Sequence, residues 1–128
     1  MLDRTDNTEG QAIIHHVLRR KSAFIRKAAG TGNSEQVVAS NIDMVFICMS
    51  LNSDFNLRRL ERYLAIAWSS GALPIVTLTK ADLCDDVAAK TAAAESVAIG
   101  AEILVTSSLA DASHEQILPY LKCGSTAA

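Results

Sequence analysis

The hydrophobic positions from residue 42 onward follow strand and helix periods in turn. Residues 44–49 form a continuous apolar run, which is typical of a strand covered on both faces. Four apolar side chains then recur at spacings of three and four residues, which predicts an amphipathic helix with that stripe in the core. They are Leu57, Leu60, Leu64 and Trp68.

Two further strands and two further helices complete this pattern. Residues 74–78 and 102–106 predict strands, and the Ala-rich residues 86–99 predict a helix that Gly100 ends. Residues 115–121 predict a short last helix. Because strands alternate with helices, we expect a parallel, right-handed α/β sheet.

The first 41 residues follow a different pattern. Residues 11–18 are apolar and β-branched, and residues 30–34 have the glycine-rich composition of a flexible loop. This part therefore predicts strands and a loop without helices. We divide the chain into residues 1–41 and an α/β unit over residues 42–128.

The composition fits at most one complete domain. The chain has 128 residues, a formal net charge of −2 and 49% hydrophobic residues, so about two-thirds of its unfolded surface can be buried. No apolar run approaches the roughly 18 residues of a membrane span, and the first ten residues lack the order of a secretory signal. We expect a cytoplasmic protein with no membrane partner.

The three cysteines indicate neither a disulfide framework nor a zinc site. Cys48, Cys84 and Cys123 are odd in number and widely spaced, with no Cys-x-x-Cys pair. Cys48 falls within the apolar run 44–49, so we expect it in the core.

Basic residues are concentrated in the first part of the chain. Residues 1–41 hold six Lys and Arg against four Asp and Glu, whereas residues 42–128 hold six against ten. The cluster consists of Arg19, Arg20, Lys21, Arg26 and Lys27. It can bind the phosphates of RNA, and a solvated sheet edge rich in Lys and Arg is an equally good interpretation.

Polar residues follow two of the predicted parallel strands. Thr79, Lys80 and Asp82 follow the first, and Ser107 and Ser108 follow the second. Since ligands of open α/β sheets bind beyond the carboxyl ends of the strands, these residues are predicted to face one pocket. A Lys-x-Asp segment alone is more often an ordinary loop with a helix cap. The second cluster, in the order that guanine-binding folds use, favours a nucleotide site.

These residue types suit the recognition of guanine. The Asp82 carboxylate can accept two parallel hydrogen bonds from the ring N–H and the amino group of guanine, which adenine cannot offer. The aliphatic stem of Lys80 can cover a purine face. The Ser108 N–H can donate to the guanine carbonyl, with the Ser107 hydroxyl bracing the turn.

At this point the chain resembles a known family, the ribosome small-subunit-dependent GTPases (RsgA, also called YjeQ), which are circularly permuted GTPases. The resemblance covers nearly everything after Glu9, and its most specific stretches are QVVASNID at residues 36–43 and DFNLRR at residues 54–59. The other stretches that carry it are residues 14–20, 24–30, 60–64, 79–83, 107–109 and 118–121.

The resemblance implies a partial, circularly permuted P-loop GTPase-like domain over residues 42–128. Residues 1–41 would be the last strands of an OB-like RNA-binding barrel. The resemblance also implies that the ligand is GTP or GDP, bound by Thr79, Lys80, Asp82, Ser107 and Ser108. Two of these residues differ from the common pattern, since many GTPases have Asn at the position of Thr79 and Ala is usual at the position of Ser108. The implied partners are the small ribosomal subunit and its rRNA, and not DNA.

The sequence departs from the family plan in two respects. No Gly-x-x-x-x-Gly-Lys-Ser/Thr segment occurs in it, and the zinc ligands of the family are missing. We therefore expect a truncated product of a GTP hydrolase that does not hydrolyse GTP alone, with Mg²⁺ and Zn²⁺ only in the full-length family protein. The alternative is a non-catalytic module that binds RNA or protein without nucleotide.

Overall fold

The computed structural model describes residues 2–3, 13–27, 35–110 and 113–128. Two short antiparallel pairs precede residue 42. Leu2–Asp3 (β1) pairs with Ile13–Ile14 (β2), and Ala23–Lys27 (β3) pairs with Glu35–Ser40 (β4). A strand is predicted over residues 11–18, but among the described residues this strand ends at Ile14. The predicted loop at residues 30–34 lies outside the described residues, and the OB-like barrel stays a prediction.

A three-stranded parallel sheet forms the centre of the α/β unit. Its strands are Met44–Ser50 (β5), Leu73–Thr79 (β6) and Glu102–Val105 (β7), in the spatial order β5-β6-β7. The helices Leu57–Ser70 (α1) and Val87–Val97 (α2) connect them. The predicted parallel α/β arrangement is therefore confirmed.

Helix α1 begins and ends where its capping residues dictate. The Arg59 N–H donates to Asn56 Oδ1 at 3.0 Å, and Gly71 adopts φ +77° and donates to the Trp68 carbonyl at 3.1 Å. The prediction of a core position for Trp68 is wrong, because the side chain is 47% exposed. In the last turn the helical period brings Ala67, rather than Trp68, onto the buried stripe.

After β6, the structure contains the predicted helix α2 but not the predicted last helix. Asp86 caps α2 by accepting the Ala89 N–H at 2.9 Å. The helix predicted over residues 115–121 is replaced by turns and a short 3₁₀ helix, Leu118–Tyr120. Pro119 explains this difference, since it has no N–H to donate to the carbonyl four residues earlier.

The two faces of the parallel sheet are packed differently. The face toward α1 and α2, here called the helix-covered face, carries the main core. The sheet residues on it are Val45, Ile47, Met49, Val76 and Leu78. Phe24 of β3 packs into the same core, so the antiparallel pair β3–β4 is attached to the α/β unit through this side chain.

The opposite face, here called the second face, is covered mainly near the start of β5. Met44, Ile75 and Leu104 form a small buried cluster there, closed by side chains that include Ile117 and Tyr120. The rings of Phe46 and Tyr120 meet edge to face with centroids 6.2 Å apart.

Cys48 lies on the second face and is exposed, so the prediction of a core position for it is wrong. The reason is the position of β5 at the side of the sheet. Residues 126–128 run parallel to β5, with the Phe46 N–H donating to the Ala128 carbonyl at 2.8 Å, and Ala127 bridges Met44. This cover reaches Phe46 and stops short of Cys48.

Among the described residues, no helix is long and apolar enough to span a lipid bilayer.

Candidate functional site

The segments that follow β6 and β7 are hydrogen-bonded to each other at the carboxyl edge of the sheet. The Thr106 N–H donates to the Leu78 carbonyl at 2.8 Å, and the Ala81 N–H donates to the Thr106 carbonyl at 3.2 Å. Thr79 ends β6, and Ala81–Leu83 forms a single 3₁₀ turn that carries Asp82. The parallel register therefore places both predicted clusters side by side.

Asp82 and Ser107 are in direct contact. The buried Ser107 hydroxyl donates to Asp82 Oδ1 at 2.5 Å and accepts the Leu109 N–H at 3.2 Å. One hydroxyl thus braces the turn after β7, as the sequence suggested, and also fixes the carboxylate, which the sequence did not indicate. Asp82 itself is exposed, and its Oδ2 faces no hydrogen-bond donor among the described residues.

The turn at residues 107–109 leaves one backbone donor available. The Ser107 N–H donates to Ser113 Oγ at 3.0 Å, and the Leu109 N–H is taken by Ser107 Oγ. The Ser108 N–H makes no hydrogen bond to another described residue. Ser113 was missed at the sequence level, because nothing in the local pattern shows that its hydroxyl returns to residue 107.

Lys80 has an unusual backbone conformation. Its φ of 58° and ψ of 41° lie in the left-handed region, which costs a residue with a side chain about 1–2 kcal/mol. Such strain is maintained only where the surrounding structure holds it, and it is concentrated at functional sites. The side chain of Lys80 is exposed.

A cavity of about 420 Å³ opens at this edge of the sheet. Its lining includes four of the five predicted site residues, Thr79, Lys80, Ser107 and Ser108, with Ser113 and His114 also in the wall. Asp82 is not a lining residue and reaches the cavity only through its bond to Ser107. The volume is within the range of small-molecule sites.

Lys90 of α2 supports the edge from behind. Its ammonium donates to the Leu51 carbonyl and lies 5.7 Å from the centre of the Phe55 ring. The Leu51 N–H in turn donates to the Thr79 carbonyl at 2.9 Å. The two peptide groups of Leu51 therefore connect Lys90 of α2 to Thr79, which directly precedes Lys80. Sequence periodicity does not reveal this long-range contact.

An ion pair lies at the beginning of α1. The Arg59 guanidinium binds both carboxylate oxygens of Asp54, at 3.0 and 2.8 Å. The hydrogen bond from Arg59 holds the pKa of Asp54 below its usual value, and the charge of Lys80 contributes in the same direction.

The basic residues predicted to bind RNA lie in and before β3. Arg19, Arg20 and Lys21 are exposed, and the Arg26 guanidinium donates to Gln36 Oε1 at 3.3 and 3.2 Å. Lys27 is the last residue of β3. The structure leaves the four described side chains of this cluster accessible to a partner.

The fold places the chain in the class of GTPase-like α/β proteins. Two solved structures share the fold. YjeQ from Thermotoga maritima has a TM-score of 0.67 at 22% identity, covering 92% of this chain and 40% of that chain. YloQ, a circularly permuted GTPase, has a TM-score of 0.62 at 21% identity, covering 94% of this chain and 40% of that chain.

The chain belongs to the RsgA GTPase family, whose sequence model matches residues 17–128. A Lactiplantibacillus plantarum protein named small ribosomal subunit biogenesis GTPase RsgA 2 is 45% identical over 124 residues, which are 97% of this chain and 35% of that protein. A Methanosarcina acetivorans protein named small ribosomal subunit biogenesis GTPase RsgA is 40% identical over 128 residues, 100% of this chain and 34% of that protein. The resemblance seen in the sequence is confirmed, and the chain spans about a third of the length of these relatives.

Proposed function

We propose that the chain is the guanine-recognition part of a GTPase that acts in the biogenesis of the small ribosomal subunit. The observation that carries this proposal is the contact between Asp82 and Ser107 at the wall of the cavity, beside the available N–H of Ser108. An acceptor and a donor then lie next to each other at one edge. Guanine presents the complementary pair along its own edge.

The proposed recognition involves four residues with different roles. Asp82 accepts from the ring N–H and the amino group of guanine, while Ser107 keeps the carboxylate oriented. The Ser108 N–H donates to the guanine carbonyl, and the Lys80 stem covers one face of the base. Adenine presents an amino group where guanine has its carbonyl, so the Ser108 donor is left unpaired at a cost of about 1–3 kcal/mol.

For these 128 residues the proposal is nucleotide binding. We propose GTP hydrolysis, with Mg²⁺ on the phosphates, for the longer family proteins of which the chain spans about a third. Among the described residues no three His, Cys, Asp or Glu side chains come together to hold a metal ion. No step proposed here runs through a metal.

The proposed partner is the rRNA of the small ribosomal subunit, in the cytoplasm. The support is the basic cluster at residues 19–27, whose described side chains are exposed toward solvent apart from the Arg26 contact with Gln36. Exposed Arg and Lys groups bind phosphates with strong salt dependence. The relatives named above are GTPases of small-subunit biogenesis, which supports the same partner.

Nucleotide titration of the chain and its Asp82→Asn variant tests the proposal. We expect calorimetry to show binding of GDP and GTP but not ATP, and a loss of GDP affinity of about 10- to 100-fold in the variant, because the amide keeps the shape but loses one acceptor. Asp85→Asn is the matched control, since Asp85 is an exposed acidic residue of the same loop that, unlike Asp82, makes no hydrogen bond to Ser107. Equal affinities for GDP and ATP would contradict the proposal.

A second candidate function is an RNA-binding module that needs no nucleotide. The observation in its favour is the exposed basic stretch at residues 19–21, which has no regular secondary structure. Salt-sensitive RNA binding that GDP leaves unchanged, in a chain that gives no heat signal with GDP, would favour this alternative.

A further inference from the structure

Three arginines in the first two turns of α1 have different environments. Arg59 is paired with Asp54 through both carboxylate oxygens. Arg58 and Arg62 are exposed, and neither makes an ion pair with another described residue. The Arg62 guanidinium lies 5.9 Å from the centre of the neighbouring Tyr63 ring, which leaves its N–H groups available to a ligand.

The helix does not benefit from these two unpaired charges. Arg58 lies in the first turn, which contains no acidic residue, so its charge meets the positive end of the helix dipole. Arg58 and Arg62 are also four residues apart, a spacing at which like charges repel on one helix face. Glu61 is exposed on the same helix but forms no ion pair with either of them. The helix dipole and the repulsion between like charges therefore give no folding reason for Arg58, and Arg62 gains only its contact with the Tyr63 ring.

The same helix face lies against β3. Arg62 lines a cleft of about 400 Å³ together with Ala23 and Ile25. Ala23 is two residues after Lys21, and Ile25 directly precedes Arg26. Arg62 is thus the basic residue in the wall of this cleft, with Arg58 one turn before it on α1 and outside the lining. The basic cluster flanks the β3 part of the lining along the chain.

We propose that Arg58 and Arg62 extend the basic cluster of residues 19–27 across the cleft, so that one RNA strand is bound by both β3 and α1. This inference rests on the proposed RNA-binding function and adds two residues of the α/β unit to it. RNA is favoured over an acidic protein because the cations are spread over two elements, as successive phosphates require, and because guanidinium groups bind phosphate with two parallel hydrogen bonds.

The test uses the 128-residue chain and a fluorescein-labelled RNA hairpin, with anisotropy measured over a series of KCl concentrations. We expect Arg58→Gln and Arg62→Gln each to lower the slope of log K against log salt concentration by about 0.7–0.9, the value for one lost phosphate contact. The double variant is expected to lose about twice that amount. Arg62→Lys keeps the charge and is expected to keep the slope.

Arg59→Gln is the matched control, since it removes the same charge from the same helix. Because Asp54 neutralises Arg59, we expect this variant to leave the slope unchanged. An equal loss in all three single variants would overturn the proposal, since net charge alone would then explain binding. Thermal melts followed by circular dichroism check folding, and Arg58→Gln is expected to raise the midpoint, because it removes a cation from the first turn.

The remaining outcomes separate this inference from the proposed function. If the unchanged chain binds the hairpin and the Arg58 and Arg62 variants bind it with the same slope, only this inference fails. If the unchanged chain does not bind RNA at all, the RNA part of the proposed function fails with it. Binding of poly-glutamate as tight as binding of the hairpin would overturn the choice of RNA.

Discussion

The two faces of the parallel sheet use the same three strands but differ in what covers them. On the helix-covered face, side chains such as Ile47 and Val76 are packed under α1 and α2. On the second face, the side chain of Ile75 is fully buried, whereas that of Cys48, in the strand at the side of the sheet, is exposed. The comparison shows that burial in this sheet depends on neighbouring segments and not on the hydrophobicity of the strand itself.

The largest expected difference between the faces concerns stability. Leu64 of α1 is 4% exposed and packs in the core between this helix and the helix-covered face. Leu64→Ala leaves a cavity there, so we expect the free energy of unfolding to fall by about 2–5 kcal/mol. Cys48→Ala on the second face is expected to change it by less than about 0.5 kcal/mol. Urea denaturation followed by circular dichroism measures both. A loss above 2 kcal/mol for the cysteine variant would show that the second face is covered in solution.

A smaller effect of opposite sign is expected at Thr77. This residue lies on the second face, paired in register with Cys48 and Leu104, and its buried hydroxyl has no hydrogen-bond partner within the described part of the chain. Thr77→Val keeps the shape and removes the unpaired group, so we expect a gain of about 1 kcal/mol in unfolding free energy. The same denaturation experiment measures it, and Thr79→Val serves as the control at the more exposed end of β6. A loss of stability would mean that water or another group satisfies the Thr77 hydroxyl.

The smallest expected effect is chemical. Although Cys48 is exposed, the protein around its thiol raises the pKa by desolvation. At a given pH below that value, less thiolate is present than in a free cysteine, so alkylation by iodoacetamide is expected to be slower and to reach its full rate at higher pH. A variant with Cys84→Ser and Cys123→Ser isolates this thiol for mass spectrometry. A rate profile shifted to lower pH than that of glutathione would contradict the expectation.

The sequence predicted most of the parallel unit, because local signals determine it. The stripe of Leu60 and Leu64, the side-chain cap at the start of α1 and Gly71 at its end each act within a few residues. Two predictions failed because the apolar pattern was given more weight than other local signals. Trp68 continues the spacing but falls off the buried stripe, and Pro119 prevents the last helix despite its apolar pattern.

The candidate site was predicted in part for the same reason. Parallel topology brings the ends of consecutive strands to one edge, which placed the segments after β6 and β7 together. Contacts between residues far apart in sequence could not be predicted. The Ser107–Asp82 bond spans 25 residues and the Lys90–Leu51 bond spans 39, and no periodicity records either of them.

At Lys80 the requirements of backbone stability and of a long side chain conflict, because the backbone is left-handed. Glycine and asparagine adopt this region with less strain than lysine, so optimisation for thermal tolerance alone would discard the lysine. Such a replacement would also remove the long aliphatic side chain of the lysine. Engineering that improves robustness at residue 80 therefore works against any role that this side chain has for a ligand.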